Sequence, residues 1–390
     1  MPSKGHAVPM QPGKNGHSGY EPSEGKQLPR NIMKRQWSMI PLLLIVLGIV
    51  LGAGTARADK PAVIRIAYPG VGIGNRPFVG GDSAATTHLK GLLDEEFKAD
   101  GIKVTWTFLR GAGPAVNELY ANNLLDFSAL GDLPFIVGQA SGLKRKVLLA
   151  AGVRQNTYLA VPADSSIQSI KDLKGKKVAI FKGTNIQLAI GKILEANGLT
   201  EKDLRAINMD NATAKAALIT KDVDAAFGNN DLIALRDQGT AKIIFRSEGD
   251  PRFLKHSTFI GTEAFINKYP EITARVVKNV VLAAKWAADN DANPAPVFQL
   301  WTKSGTPFSN YKEDYLGNGQ SVKVRASPLI DDYVVSQYQT KIADAKRYGL
   351  IKETFDFKAV IDDRFLKQAL RELKLENYWK PVDAAGKPKS

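Results

Sequence analysis

The chain has 390 residues, enough for two domains with sizeable cores, and a formal net charge of +14. It contains no cysteine, which excludes disulfides, thiolate zinc sites, thiol nucleophiles and a lipid-anchoring cysteine. Residues 1–58 hold seven Lys/Arg and two Glu; the remainder carries 46 basic and 37 acidic residues, a net of +9. The basic residues are interleaved with acids, a pattern that fits a solvated, anion-steering surface and argues against a nucleic-acid stripe.

Residues 1–32 are polar, rich in Gly and Pro, and read as disordered. The stretch "MKRQWSMIPLLLIVLGIVLGAGTARADK" then sets Lys34-Arg35 before an apolar run from Met39 to Val50 and closes with Ala56-Arg57-Ala58 before Asp59. This is the pattern of a secretory signal peptide cleaved after Ala58, with translation expected to start near Met33. The run is short of the ~20 apolar residues that a membrane span needs.

Beyond the leader, strands alternate with helices. "AVIRIAY" (62–68) predicts a strand, a Gly-rich loop runs to Asp82-Ser83, and a helix is expected over 84–98. "IKVTWTFL" is a strand whose exit, Gly111-Ala112-Gly113-Pro114, opens a helix through Tyr120. "LLDFSAL" is a strand ending at Gly131-Asp132-Leu133-Pro134 before another helix, and "KVLLAAGV" is a strand. This reads as a doubly wound α/β unit. "TYLAVP" opens a second such unit, with strands at "KKVAIF", "DLRAINM", "DVDAAFG" and "AKIIFR" and a helix around 212–219. After about Arg246 the pattern turns helical, with a long helix from Pro270 and others around 331–348 and 362–373.

One corner concentrates the question of function. The apolar run Val178–Phe181 ends at Lys182-Gly183-Thr184-Asn185, and an amphipathic helix follows, with Ile186, Ala189, Ile190, Ile193 and Leu194 on one face. Thr184 or Asn185 can cap that helix, and Gly183 allows close backbone approach. Two readings stay open: a plain capped turn, or a helix start whose free N–H groups hold an anion. No P-loop pattern is present. "GVGIGNRPF" resembles a dinucleotide fingerprint, but Pro77 and Gly80-Gly81 interrupt the helix it needs and no acidic residue ends the next strand. His88 and His256 stand alone, so neither a metal set nor a catalytic triad is legible, and no cofactor is expected.

The order of motifs carries a resemblance. "RIAY", "GAGPAVNELYANNLLDFSALGDLP", "YLAVPADSSIQSIKDLKGKKVAIFKGTN", "VDAAFGNND" and the closing "FLKQALRELKLENYWKPVDAAGKPK" resemble the periplasmic solute-binding proteins of ABC transporters for aliphatic sulfonates, taurine and nitrate. The resemblance implies an α/β, two-lobed type II periplasmic-binding fold with two hinge crossings and a helical C-terminal part. Lobe 1 would take 59–155 plus 250–390, and lobe 2 would take 156–249. It implies a monomer in the periplasm that binds a small molecule without turnover, and a membrane permease as partner.

In open α/β sheets ligands sit beyond the carboxyl ends of the strands. Four such ends carry small polar corners: Gly111-Ala112-Gly113 and Gly131-Asp132 in lobe 1, Gly183-Thr184-Asn185 and Gly228-Asn229-Asn230-Asp231 in lobe 2. These are the expected ligand contacts, with Thr184 as a hydroxyl donor. Asp132 has two readings, a helix cap or a partner for a ligand ammonium, the second favouring a taurine-like zwitterion over nitrate. A pyrimidine thiamine precursor would instead need an aromatic sandwich from residues such as Phe78, Phe135 and Phe181. A secreted enzyme is the remaining class, and it lacks a nucleophile–base set.

Overall fold

The computed structural model describes residues 60–248, 250–316 and 321–389. The leader, the proposed cleavage point after Ala58 and Asp59 lie outside these residues. The strands are β1 (Val63–Tyr68), β2 (Lys103–Phe108), β3 (Phe127–Gly131), β4 (Arg145–Gln155), β5 (Tyr158–Pro162), β6 (Lys177–Ile180), β7 (Arg205–Asn208), β8 (Ala225–Gly228), β9 (Ala241–Arg246) and β10 (Lys255–Thr262). They form two five-stranded sheets, ordered β2-β1-β3-β10-β4 and β7-β6-β8-β5-β9.

Both sheets are mixed. In the first, β1 runs parallel to β2 and β3, whereas β10 runs antiparallel to β3 and β4. In the second, β6 runs parallel to β7 and β8, whereas β5 runs antiparallel to β8 and β9. The doubly wound expectation lacked these antiparallel strands, and it lacked β10 altogether. β10 reads "KHSTFIGT" and is buried along nearly its whole length. Its polar groups are consumed by the fold: Ser257 Oγ donates to Gly152 O, and Tyr338 Oη donates to Thr258 Oγ1. Hydropathy does not reveal a strand whose burial depends on partners elsewhere in the chain.

Helices α1 (Ser83–Leu89), α2 (Leu92–Lys98), α3 (Ala112–Ala121) and α4 (Asp132–Ala140) connect strands of the first sheet. The single helix expected over 84–98 is two, because Gly91 takes φ +65° between them, a left-handed conformation that costs glycine little. Helices α5 (Asn185–Glu195), α6 (Asn211–Ile219) and α7 (Ile233–Asp237) serve the second sheet. After β10 come α8 (Glu263–Lys268), α9 (Pro270–Asp289), α10 (Ala295–Trp301), α11 (Phe308–Leu316), α12 (Val322–Arg325), α13 (Asp332–Arg347) and α14 (Arg364–Glu372). Val276, Val277, Val280 and Val281 of α9 share one core with Ile64, Ile66, Phe127 and Phe259, so the C-terminal helices complete the first lobe.

The chain crosses from the first sheet to the second between Gln155 and Tyr158 and returns between Arg246 and Lys255. The two crossings are bonded to each other. Thr157 N donates to Ser247 Oγ (2.9 Å), and Ser247 N donates to Thr157 O (3.0 Å). Two connectors held side by side form a hinge, where few residues absorb a rotation.

Candidate functional site

A cavity of about 510 Å³ opens between the two sheets, lined from both. It lies beyond the carboxyl ends of β1, β3, β6 and β8, where the strand-to-helix turns expose backbone. Of the residues expected at the site, Ala112, Gly113, Gly131, Thr184, Asn185, Asn229, Asn230 and Asp231 line this cavity. Gly111, Asp132 and Gly183 do not: Gly111 is exposed, Gly183 is half-buried and Asp132 is fully buried.

Gly111 is the N-cap of α3, where no side chain caps the helix. The next residue, Ala112, holds φ +51°, a left-handed value that costs a non-glycine residue roughly 1–2 kcal/mol. Gly183 takes φ +75°, and a Cβ there would lie 2.9 Å from Pro114 Cγ of the opposite lobe. Conformation and space both demand glycine. Its N–H is taken by Gln187 Oε1 at 2.7 Å.

Two expected roles are corrected by the geometry. The Thr184 hydroxyl donates to Phe181 O at 2.7 Å, so its proton is committed within the turn in this structure and is not presented to the cavity. No side chain caps α5, and with Gln187 N bonded to Thr184 O (3.0 Å) the N–H groups of Asn185 and Ile186 are the donors left at this corner. Asp132 is fully buried in the first turn of α4; it is neither the N-cap nor a wall of the cavity. Its Oδ1 accepts from Leu133 N, and its Oδ2 accepts from His256 N and pairs with Lys341 Nζ at 3.2 Å. A buried carboxylate requires a counter-charge, and Lys341 of α13 supplies it from a distant part of the chain.

The aromatic sandwich does not form. Phe135 sits in the core, Phe78 is 37% exposed beside His88, and of the three only Phe181 reaches the cavity. One wall is nevertheless aromatic, built from Tyr68, Tyr311 and Tyr315. The Gly-rich loop from Pro69 closes against it. A Cβ on Gly80 would fall 2.5 Å from Trp301 Cβ and 2.6 Å from Tyr311 Oη, so the loop packs directly on the α10–α11 segment.

Charge was the part least legible in the sequence. Arg110, Lys215, Lys255 and Arg325 line the cavity, as do Asp82, Asp210, Asp231 and Asp314. Three cations are paired: Arg110 with Asp210 (3.1 Å), Lys215 with Asp231 (2.7 Å) and Arg325 with Asp314 (2.9 Å). Among the described residues Lys255 and Asp82 have no ion-pair partner. Asp82 caps α1 by accepting from Ala85 N at 2.8 Å and accepts from the Tyr68 hydroxyl at 2.7 Å. Burial pushes its pKa up to about 6, against the pull of these hydrogen bonds. Lys255 is 2% exposed, and its Nζ donates to Asn156 O (2.5 Å) and Asn229 Oδ1 (2.7 Å). Burial pushes its pKa down to about 8. Asp82 was visible only as the residue before a helix, and Lys255 only as one basic residue among many.

The model of the NMT1/THI5-like family matches residues 97–293, half of the chain. A Bacillus subtilis (strain 168) protein named for binding aliphatic sulfonates is 31% identical over 287 residues, spanning 73% of this chain and 83% of that protein. The crystal structure of SsuA, a periplasmic sulfonate-binding protein of Methylobacillus flagellatus KT, matches with a TM-score of 0.70 at 32% identity, covering 83% of this chain and 98% of that one. The periplasmic nitrate-binding protein NrtA from Synechocystis PCC 6803 shares the fold at 15% identity, with a TM-score of 0.62 and coverage of 84% and 93%.

Proposed function

We propose, from the premise that this chain belongs to the NMT1/THI5-like family and to the sulfonate and nitrate type of ABC-transporter substrate-binding proteins, that it captures an aliphatic sulfonate and delivers it unchanged to a membrane permease. One observation carries the reading. The cavity between the lobes joins uncapped helix starts from both sides, α3 and α5, to a buried lysine without a carboxylate partner. Backbone N–H groups at helix starts and an ammonium are donors suited to a sulfonate's three oxygens. The volume and the tyrosine wall suit a ligand with an organic tail, because cavities of roughly 300–1,000 Å³ hold molecules far larger than nitrate.

Within that class a taurine-like amino-sulfonate is supported by Asp82, a carboxylate that lines the cavity with no cation beside it. It takes over the role the sequence reading gave to Asp132. The expected ligand contacts are Ala112, Gly113, Gly131, Asn185, Asn229 and Lys255, with Asp82 at the ammonium. Export through the leader with cleavage after Ala58, a monomeric periplasmic protein, lobes of 59–155 plus 250–390 and of 156–249, and the absence of turnover belong to the same reading.

A thermal-shift screen of alkanesulfonates, taurine, nitrate and pyrimidines tests it. A true ligand at about 100 times its Kd adds roughly 2.7 kcal/mol. The expected result is stabilisation by sulfonates that are recovered intact. Stabilisation by pyrimidines or nitrate alone, or conversion of the sulfonate, would reject it.

A further inference from the structure

Lys255 has a position that the sulfonate reading does not by itself require. It opens β10, immediately after the return crossing, and so belongs to the first lobe. Its ammonium bonds Asn156 O in the outgoing crossing and Asn229 Oδ1 at the end of β8 in the second lobe. An ammonium has three protons, and these bonds use two. The side chain also lines the cavity.

Every charged group facing it is already engaged. Asp314 of α11, Asp132 of α4, Arg325 of α12 and Asp231 in the turn after β8 are the charges that act on it. Asp314 belongs to Arg325, Asp132 to Lys341 and Asp231 to Lys215. A cation nearly excluded from water, tied to both lobes and lacking an anion of its own, is incomplete until an anion arrives.

We propose that Lys255 couples ligand charge to lobe closure: its ammonium holds the hinge and the second lobe together, and its remaining N–H takes the ligand's anionic group, so that capture requires the protonated lysine. This rests on the proposed oxyanion ligand and adds that its contact with Lys255 is coupled to lobe closure and to the lysine's protonation. A neutral Lys255 offers no charge to the ligand. With the pKa pushed down to about 8 before a ligand anion arrives, binding above that pH must draw a proton from solvent, and below it the proton is already in place. His256, Arg325, Asp314, Tyr311 and Tyr315 do not share this range. Burial pushes His256 well below its usual value, Arg325 and Asp314 hold one another charged, and burial pushes Tyr311 and Tyr315 up. Asp82 titrates near 6, below the window.

The test is titration calorimetry of the mature protein with methanesulfonate and hexanesulfonate, whose charge is constant from about pH 7 to about pH 9.5. For the wild type, affinity should fall by about 30-fold across that range, with proton uptake measured in buffers of different ionisation enthalpy. Lys255→Met should lose about 10- to 100-fold at pH 7 and show a flat profile without proton uptake. Circular dichroism and melting establish that the variant is folded. A flat wild-type profile overturns the proposal without any variant, and so does a folded Lys255→Met that keeps wild-type affinity. Binding of neither sulfonate by the wild type at any pH would instead reject the sulfonate reading itself, and this inference with it.

Discussion

At Asp82 a stability cost coincides with the ligand contact proposed for it. Its carboxylate is buried, and its pKa stands at about 6 against an ordinary 3.8. The folded state therefore binds more protons than the unfolded chain between those values, and stability falls as pH rises through them. Above pH 6 the burial of this charge costs up to about 3 kcal/mol. Asn caps a helix about as well as Asp and carries no charge. Asp82→Asn is accordingly expected to melt higher than wild type at pH 7–8, with the gap closing towards pH 4. The same variant should lose affinity for taurine about 10- to 100-fold while keeping methanesulfonate, because only taurine has an ammonium to lose. Melting curves across pH and calorimetry with both ligands check the two halves. Equal losses for the two ligands would mean that the residue only caps α1.

At the scale of elements, the strand-to-helix corners decide how the lobes meet. A Cβ on Gly131, between β3 and α4, would lie 2.8 Å from Asn185 Cβ at the start of α5 across the cleft. Its φ of −67° is ordinary for any residue, so the cost of alanine there lies in the contact with Asn185, not in the backbone. Gly131→Ala is expected to weaken sulfonate binding roughly tenfold, the effect of about 1–3 kcal/mol of overpacking where the two corners meet. Affinity equal to wild type would show that the two corners do not meet in the bound state.

These corners were legible because their chemistry is local. Gly, Asn and Pro mark turns by their backbone preferences, and apolar runs such as Val178–Ile180 mark buried strands. What was not legible depends on pairs distant in sequence. Asp132 reads as a possible ligand contact until Lys341 is seen beside it, 209 positions later. Lys255 stands in a polar stretch that hides a central strand, and its importance appears only when Asn156 and Asn229 come to its ammonium. Thr184 carried the right hydroxyl, but the turn that presents it also consumes its proton.

At the scale of the whole molecule, the two lobes are drawn together by contacts outside the cavity. Arg236 Nη1 and Nη2 each reach Glu313 at 2.7 Å, and Arg347 reaches Glu195 at 2.6 and 2.9 Å. Lys192 of α5 also meets Asp344 of α13 at 3.3 Å. Apart from the buried Asp344 these groups are partly exposed, and exposed pairs contribute roughly 0–1 kcal/mol each. Pairs this weak are compatible with the ligand-dependent balance of open and closed forms that the proposed capture requires. The hinge formed by the paired crossings at Thr157 and Ser247 is where that motion would turn. The most direct test is small-angle X-ray scattering of the mature protein with and without a saturating alkanesulfonate. Capture between two lobes predicts a smaller radius of gyration with ligand, with the particle remaining a monomer. A radius that does not change on saturation by a tightly bound sulfonate would contradict it.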